Sequence, residues 1–379
     1  MAPLDVLQVD PSAFTPPYDR SLSAALARGG ARVRLLTSHF PYGPVPDPDG
    51  YELIEAFYRR AHRLDPKSPA RRPLKGFEHS FGMARLARQA RRSQIVHYQW
   101  LTWPRLDRRL LGSAATRPRL YTLHYPLPCR DDRAACAREA ALLHRFDAVV
   151  VHTVDGARRL REDLGIDPAR IEQIPHGVFD YLTALPVEQP LPSEFAAVPS
   201  DTPVILFFGL LRPYKGLDVL LEAARLLDGA EIWICGMPRM DLTALVDAAA
   251  RAAARVRWLP RFIADAEIPA LMRRADLVVL PYREIEQSGV VYAAMAFAKP
   301  LLLTEVGGFR ELVAAGAARG VVPGDPEQLA AALRTLLDDR GARLALSTRA
   351  AELARGEYSW DTVARRHLDL YSRLLDGDR

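Results

Sequence analysis

The chain has 379 residues, 49% of them apolar and 26% charged, with a formal net charge of +5. This excludes disordered, collagenous and fibrous classes, and at about 150 residues per domain it suggests two domains. Three cysteines, Cys129, Cys136 and Cys235, cannot build a disulfide framework, and their spacing fits no zinc site. They read as buried thiols in a reducing compartment. The longest apolar run, 204–211, falls far short of the about 20 residues that a membrane-crossing helix needs. The start, MAPLDVLQVD, has neither a charged n-region nor a long apolar h-region, so a cytoplasmic protein is expected.

In chain order, LDVLQVD (4–10) reads as a strand, followed by a loop with FTPPYD (14–19) and a helix from Ser21 to Arg28. Strands are expected at ARVRLLTS (31–38), QIVHYQW (94–100), RLYTLHY (119–125) and AVVVHT (148–153), with a strand at PARIEQIPHG (168–177) closing the half. The Pro- and Ser-rich segment 187–203 reads as a linker. The pattern then restarts with VILFFGLL (204–211), EIWICG (231–236), VRWLP (256–260), ADLVVLPY (275–282) and PLLLTEVGG (300–308), with helices between. The tail, 362–375, is an amphipathic helix. Strands alternating with helices imply an α/β fold of two doubly wound parallel sheets and a cleft between them. Ligands in such sheets bind outside the carboxyl ends of the strands.

Of 51 basic residues, 47 are arginine, a bias expected of a GC-rich genome; the lysines are Lys67, Lys75, Lys215 and Lys299. A lysine kept against that bias marks a site suited to a compact point charge. Lys215 lies with Arg212 in FFGLLRPYKGLDVLL, between a strand that ends at Gly209 and a helix that starts near Leu217. Two cations on a strand-to-helix turn, beside the free N–H groups of a helix start, make an anion site. The second candidate is ADLVVLPYREIEQSGVVYAAMAFAKPLLLTEVGGFREL (275–312). Its polar loop carries Glu284, Glu286, Gln287 and Ser288, and Gly289 then opens a helix without a bulky side chain, followed by Val290. Phosphate could approach those amides, and the glutamates could contact ligand hydroxyls; N-capping alone also accounts for Ser288.

Taken together, FFGLLRPYKGLDVLL, IPHGV, ADLVVLPY, QSGVVYAAMAFAKPLLLTEVGGFREL and YSWDTVARRHLDLY resemble the retaining glycosyltransferases of family 4. The resemblance implies the GT-B fold, two Rossmann-like domains facing a cleft. It sets an N-terminal acceptor domain at 1–185, a nucleotide-sugar domain at 186–357, and a helix at 358–379 crossing back to the first domain. It assigns Arg212 and Lys215 to the donor diphosphate, His124 to the donor sugar, and Ser288 and Gly289 to the phosphates, with Gly209 and Val290 among the donor-binding residues. Arg261 and Phe262 fall where the nucleobase is held by backbone contacts. No cofactor and no metal are implied; the donor is a UDP-, GDP- or other nucleotide-diphosphate sugar. Most of the family carries two glutamates eight positions apart. Here Ala293 replaces the second, and Ile285 stands at the first between Glu284 and Glu286, as in a subgroup lacking that second carboxylate. The ribose must be held otherwise, with Tyr292 as a candidate. The glycine-rich loop usual after the first strand is replaced by Pro16-Pro17-Tyr18-Asp19, which makes Tyr18 and Asp19 acceptor-site candidates with Trp100 and Tyr125.

Aromatic residues cluster in the first half, where the acceptor is expected. Residues 59–75 hold seven Arg or Lys against Asp65 alone, and 85–92 add four more arginines. This basic patch points to a phosphate-bearing acceptor or to peripheral contact with an anionic membrane at its inner face; no nucleic-acid motif is present. The expected activity is metal-independent transfer of a hexosyl group to a polysaccharide or glycolipid intermediate or a small metabolite. The alternatives are a GT-B sugar-nucleotide epimerase and a degenerate nucleotide-binding scaffold.

Overall fold

Short apolar runs separated by helices fold here into two parallel sheets, in a computed structural model that describes residues 3–377 apart from 42, 44, 66, 67, 104, 105, 108–110, 112–116, 126, 128–130 and 286. The chain divides into two compact units, residues 1–177 with 360–379, and residues 178–359.

The first unit has seven strands: β1 (Asp5–Asp10), β2 (Arg32–Ser38), β3 (Glu52–Phe57), β4 (Ile95–Tyr98), β5 (Arg119–Thr122), β6 (Ala148–Val151) and β7 (Ile171–Gln173). They lie in the order β3-β2-β1-β4-β5-β6-β7, all parallel. Helices cover both faces of such a sheet, so its central strands are buried at nearly every position; β1 is buried from Val6 to Asp10, Gln8 and Asp10 included. Strand order reverses between β1 and β4, and the loops leaving these two strands diverge there. The edge strand β3, with its mixed sequence ELIEAF, escaped the strand pattern because it is only partly buried.

The first helix starts at Pro16, five residues before the expected Ser21. Prolines at its first two positions lose no hydrogen bond and preset the backbone, so FTPPYD opens the helix instead of preceding it. The helix Trp360–Asp376 belongs to this unit. Its inward face, Trp360, Val363, Ala364, His367, Leu370 and Tyr371, repeats at helical spacing and is buried. Arg28 and Asp361 pair at 2.9 Å, and Tyr371 hydrogen-bonds His97 at 2.7 Å, tying this helix to the helix Pro16–Arg28 and to β4.

The second unit has β8 (Val204–Phe208), β9 (Glu231–Cys235), β10 (Arg255–Leu259), β11 (Leu277–Leu280), β12 (Leu301–Thr304) and β13 (Ala318–Val321). Their order is β10-β9-β8-β11-β12-β13, again parallel, with the reversal between β8 and β11. The segment read as a linker folds onto this unit: Phe195 is buried, its ring 4.2 Å from that of Trp233. The units divide after Gly177 and after Ser359, where the sequence suggested 185 and 357. Val178 and Leu182 are buried in the second core, and the Phe179 N–H donates to the Tyr292 carbonyl at 3.3 Å, drawing 178–185 into that unit.

Candidate functional site

In the second unit the turn after β8 and the helix start after β11 meet at the point where strand order reverses. Gly209 ends β8 with φ +110°; a Cβ there would lie 2.9 Å from Val290 Cγ2 and 3.2 Å from Lys215 Nζ. Residues Pro213–Lys215 form one 3-10 turn, closed by Gly216 at φ +66°. A Cβ on Gly216 would sit 2.0 Å from the Pro281 carbonyl oxygen, so only glycine lets this turn pack against the end of β11. The helix Gly289–Ala296 then starts beside it. Ser288 is its N-cap residue but makes no side-chain capping bond; its Oγ lies 3.5 Å from the Tyr282 hydroxyl. Capping therefore does not consume the Ser288 hydroxyl.

Lys215 is buried, with its ammonium 4.9 Å from the centre of the Tyr282 ring. No carboxylate pairs with it among the described residues. Burial, with Arg212 adding repulsion, brings its pKa down to about 8. A buried cation without a counter-ion is costly, and it is tolerated where a ligand brings the anion. Arg212 is exposed on the same turn. The side-chain carbonyl of Gln287, one residue before Ser288, is buried and accepts no hydrogen bond among the described residues. Sequence reading noted Gln287 only as part of the loop; its orphaned acceptor is a tertiary fact.

Glu284 is exposed, and Glu286 lies outside the described residues. Tyr292 is buried in the core, 5.8 Å from the Tyr358 ring, because its helix turns that face inward; Ala293 is buried beside it. Arg261 forks onto Glu267 at 2.5 and 2.9 Å, so its guanidinium is already paired, while Phe262 is partly exposed after β10.

In the first unit, strand ends gather histidines. His124 follows β5; its Nε2 lies 3.1 Å from Gln99 Oε1, and its ring stacks on Trp100 at 5.4 Å. His152, after β6, lies with Nε2 3.4 Å from His124 Nδ1 and with Nδ1 2.9 Å from the Ile174 carbonyl. His176 completes the group, 5.4 Å from His152. Burial pushes the pKa of all three down, His152 to about 4, so the cluster is neutral at pH 7. His152 was not expected; its only sequence signal was its place at the end of a strand.

Tyr18 and Asp19 are not open to an acceptor: both are buried in the first turn of the helix Pro16–Arg28, with Tyr18 packed 4.6 Å from His124. Burial, and Asp10 beside it, push the Asp19 carboxyl well above the usual range. Asp10 closes the loop after β1 by accepting N–H groups from Ser12, Phe14 and Thr15 at 3.2, 2.6 and 3.3 Å. Trp100 donates its Nε1–H to Thr15 at 2.8 Å, and the Tyr125 hydroxyl donates to Glu139 at 2.6 Å. Ser12 and Thr102, on the loops leaving β1 and β4, hydrogen-bond at 2.8 Å. Lys75 lies 3.4 Å from that Ser12 hydroxyl and 4.4 Å over the Tyr58 ring. Rarity singled out Lys75 with the other lysines, but only the fold puts it at this reversal point. Among the described residues no group of three His, Cys, Asp or Glu is arranged to hold a metal ion.

Comparison with known proteins follows this division. The family described as Glycosyltransferase Family 4 matches residues 20–179, and that described as Glycosyl transferases group 1 matches 202–339. A D-inositol 3-phosphate glycosyltransferase of Kineococcus radiotolerans is 33% identical over 261 residues, 62% of this chain and 59% of that one. The aligned region therefore spans under two thirds of that relative. Sucrose-phosphate synthase of Thermosynechococcus elongatus shares the fold at TM-score 0.73 and 19% identity, over 99% of this chain and 100% of that one. Anabaena HepE, solved with UDP-glucose, does so at TM-score 0.69 and 19% identity, over 97% and 99%. The units are Rossmann-like and share the GT-B type of fold with these structures.

Proposed function

We propose that the protein is a retaining, metal-independent hexosyltransferase using a nucleoside-diphosphate sugar. The observation that carries the reading is Lys215, a buried and unpaired cation at the reversal point of the second sheet, beside Gly209 and the Ser288–Gly289 helix start. As the bond from the anomeric carbon to the diphosphate breaks, charge grows on the leaving phosphate. In this reading Lys215, Arg212 and the amides of the helix start meet that charge, so they stabilise the transition state more than the bound donor. The acceptor hydroxyl attacks from the face that the diphosphate leaves and passes its proton to the departing phosphate oxygen, which keeps the anomeric configuration. His124 supplies a neutral imidazole to the sugar hydroxyls. UDP is the favoured nucleotide, since a structure of like fold was solved with UDP-glucose.

The first unit holds the acceptor. A relative is named for an inositol phosphate, and Lys75 offers a cation beside Ser12 and Thr102 where the first sheet reverses. The acceptor class is therefore a phosphorylated polyol. The location is cytoplasmic, with peripheral contact at an anionic membrane; among the described residues no helix is long and apolar enough to cross one.

The test is incubation with UDP-, GDP-, ADP- and TDP-sugars, reading nucleotide release with and without inositol phosphate and the anomeric configuration of the product. Acceptor-dependent release with retention is expected. Donor conversion without acceptor would make the protein an epimerase. Binding without release would make it a scaffold, and no response to any donor would overturn the reading.

A further inference from the structure

Helix Arg71–Ala90 buries His79, Gly82, Met83, Leu86, Ala87 and Ala90 against the first unit. Its other side carries Phe77, Phe81, Arg85 and Arg88, which at 100° per residue fall within one narrow stripe. Phe77 and Phe81 are 63% and 60% exposed, and their rings meet edge to face at 4.9 Å. Two large exposed aromatics are unusual on a surface that water alone covers. The segment Arg59–Arg63 runs alongside, and together the two elements form a groove of about 640 Å³ with an apolar floor and an arginine rim.

The arginines lining the groove are Arg59, Arg60, Arg63, Arg85 and Arg88, and Glu78 is its acidic residue. Against these five positive charges Glu78 brings one negative charge, and its two oxygens accept the backbone N–H groups of Arg60 and Ala61, both at 2.9 Å. These two hydrogen bonds to the backbone hold the segment against the helix, so the groove is a built feature. None of the five arginines is ion-paired among the described residues. With five arginines against one glutamate, the rim is a net cationic ring beside exposed aromatic rings.

We propose that this groove and its Phe77–Phe81 ridge dock the protein on an anionic phospholipid bilayer. The rings enter the boundary between headgroups and acyl chains, and the arginines sit on the lipid phosphates. Charge complementarity selects an anionic occupant. The protruding aromatic pair selects a bilayer over an acidic polypeptide, because an interface of lipid offers apolar depth behind the charge. The inference deepens the membrane part of the proposed function and rests on that part alone, not on any catalytic step.

Co-sedimentation of the full chain with phosphatidylcholine vesicles, with and without phosphatidylglycerol, tests it. Binding is expected only with phosphatidylglycerol, and it should weaken as salt rises. Arg85→Gln and Arg88→Gln should each reduce it about fivefold, and the double variant Phe77→Ser/Phe81→Ser should abolish it. Both sets change exposed side chains, so an unchanged melting temperature and unchanged nucleotide-diphosphate binding verify the fold. Equal binding to both vesicles, or binding indifferent to the phenylalanines, would overturn the proposal. So would capture of soluble polyglutamate without capture of vesicles, which would assign the groove to an acidic polypeptide. Vesicle binding needs no donor, so its failure leaves the transferase reading standing, and the reverse also holds.

Discussion

Replacing Lys215 with methionine should make the protein more stable and nearly inactive. Burial lowers this lysine from the ordinary 10.5 to about 8, and at about 1.4 kcal/mol per pKa unit the charged form costs the folded state about 3 kcal/mol at neutral pH. Methionine keeps the stem that packs near Tyr282 and loses the cation–π contact, worth about 1 kcal/mol. The net gain is about 2 kcal/mol, which for a unit of this size raises its melting temperature by roughly 4–8 °C. Activity should move the other way. Losing one preorganised charge from the leaving-group site costs about 3–4 kcal/mol, or roughly 10²–10³-fold in kcat. The pH dependence supplies a further check. The folded pKa lies below the unfolded one, so between about 8 and 10.5 the unfolded chain binds the extra proton. Wild-type stability therefore rises with pH across that window, and the methionine variant's advantage shrinks to nothing. Calorimetry at pH 7 and 10.5, paired with nucleotide-release rates, reads all three. A variant less stable than wild type at pH 7 would show that Lys215 has a structural partner, and an unchanged kcat would remove it from the chemistry.

The first unit should be acid-labile. His152 and His367 are buried with pKa values lowered to about 4, mainly by desolvation, so the stability they leave intact above 6.5 is lost as pH falls from 6.5 towards 4. Each contributes up to about 3 kcal/mol, and unfolding followed by near-UV dichroism should show the first unit, residues 1–177 with 360–379, melting earlier at pH 5 than at pH 7. Gly216→Ala should destabilise the second unit by about 2 kcal/mol or more, since αL backbone alone costs about 1–2 kcal/mol and the new Cβ would sit 2.0 Å from the Pro281 oxygen. Urea unfolding measures that loss, and nucleotide-diphosphate titration should show weaker binding as the Lys215 turn shifts.

The sequence by itself determined the class of fold, because burial on both faces of a parallel sheet writes itself into the chain as apolar runs between amphipathic helices. It also marked Lys215 and Gly289, since a rare residue type and a bare helix start are local signals. It could not say that Pro16 begins a helix and so buries Tyr18 and Asp19, because that depended on what the helix packs against. Nor could it join His124, His152 and His176, which are 28 and 24 residues apart and meet only because β5, β6 and β7 are neighbours in the sheet. Nor could it pair the Arg261 guanidinium with Glu267, six residues on. The basic run 59–92 was visible as charge; tertiary structure turned it into a groove with two phenylalanines on its lip. Periodicity is local and follows from covalent spacing, whereas strand order and the partners of a charge follow from which surfaces are buried together, and only the folded chain decides that.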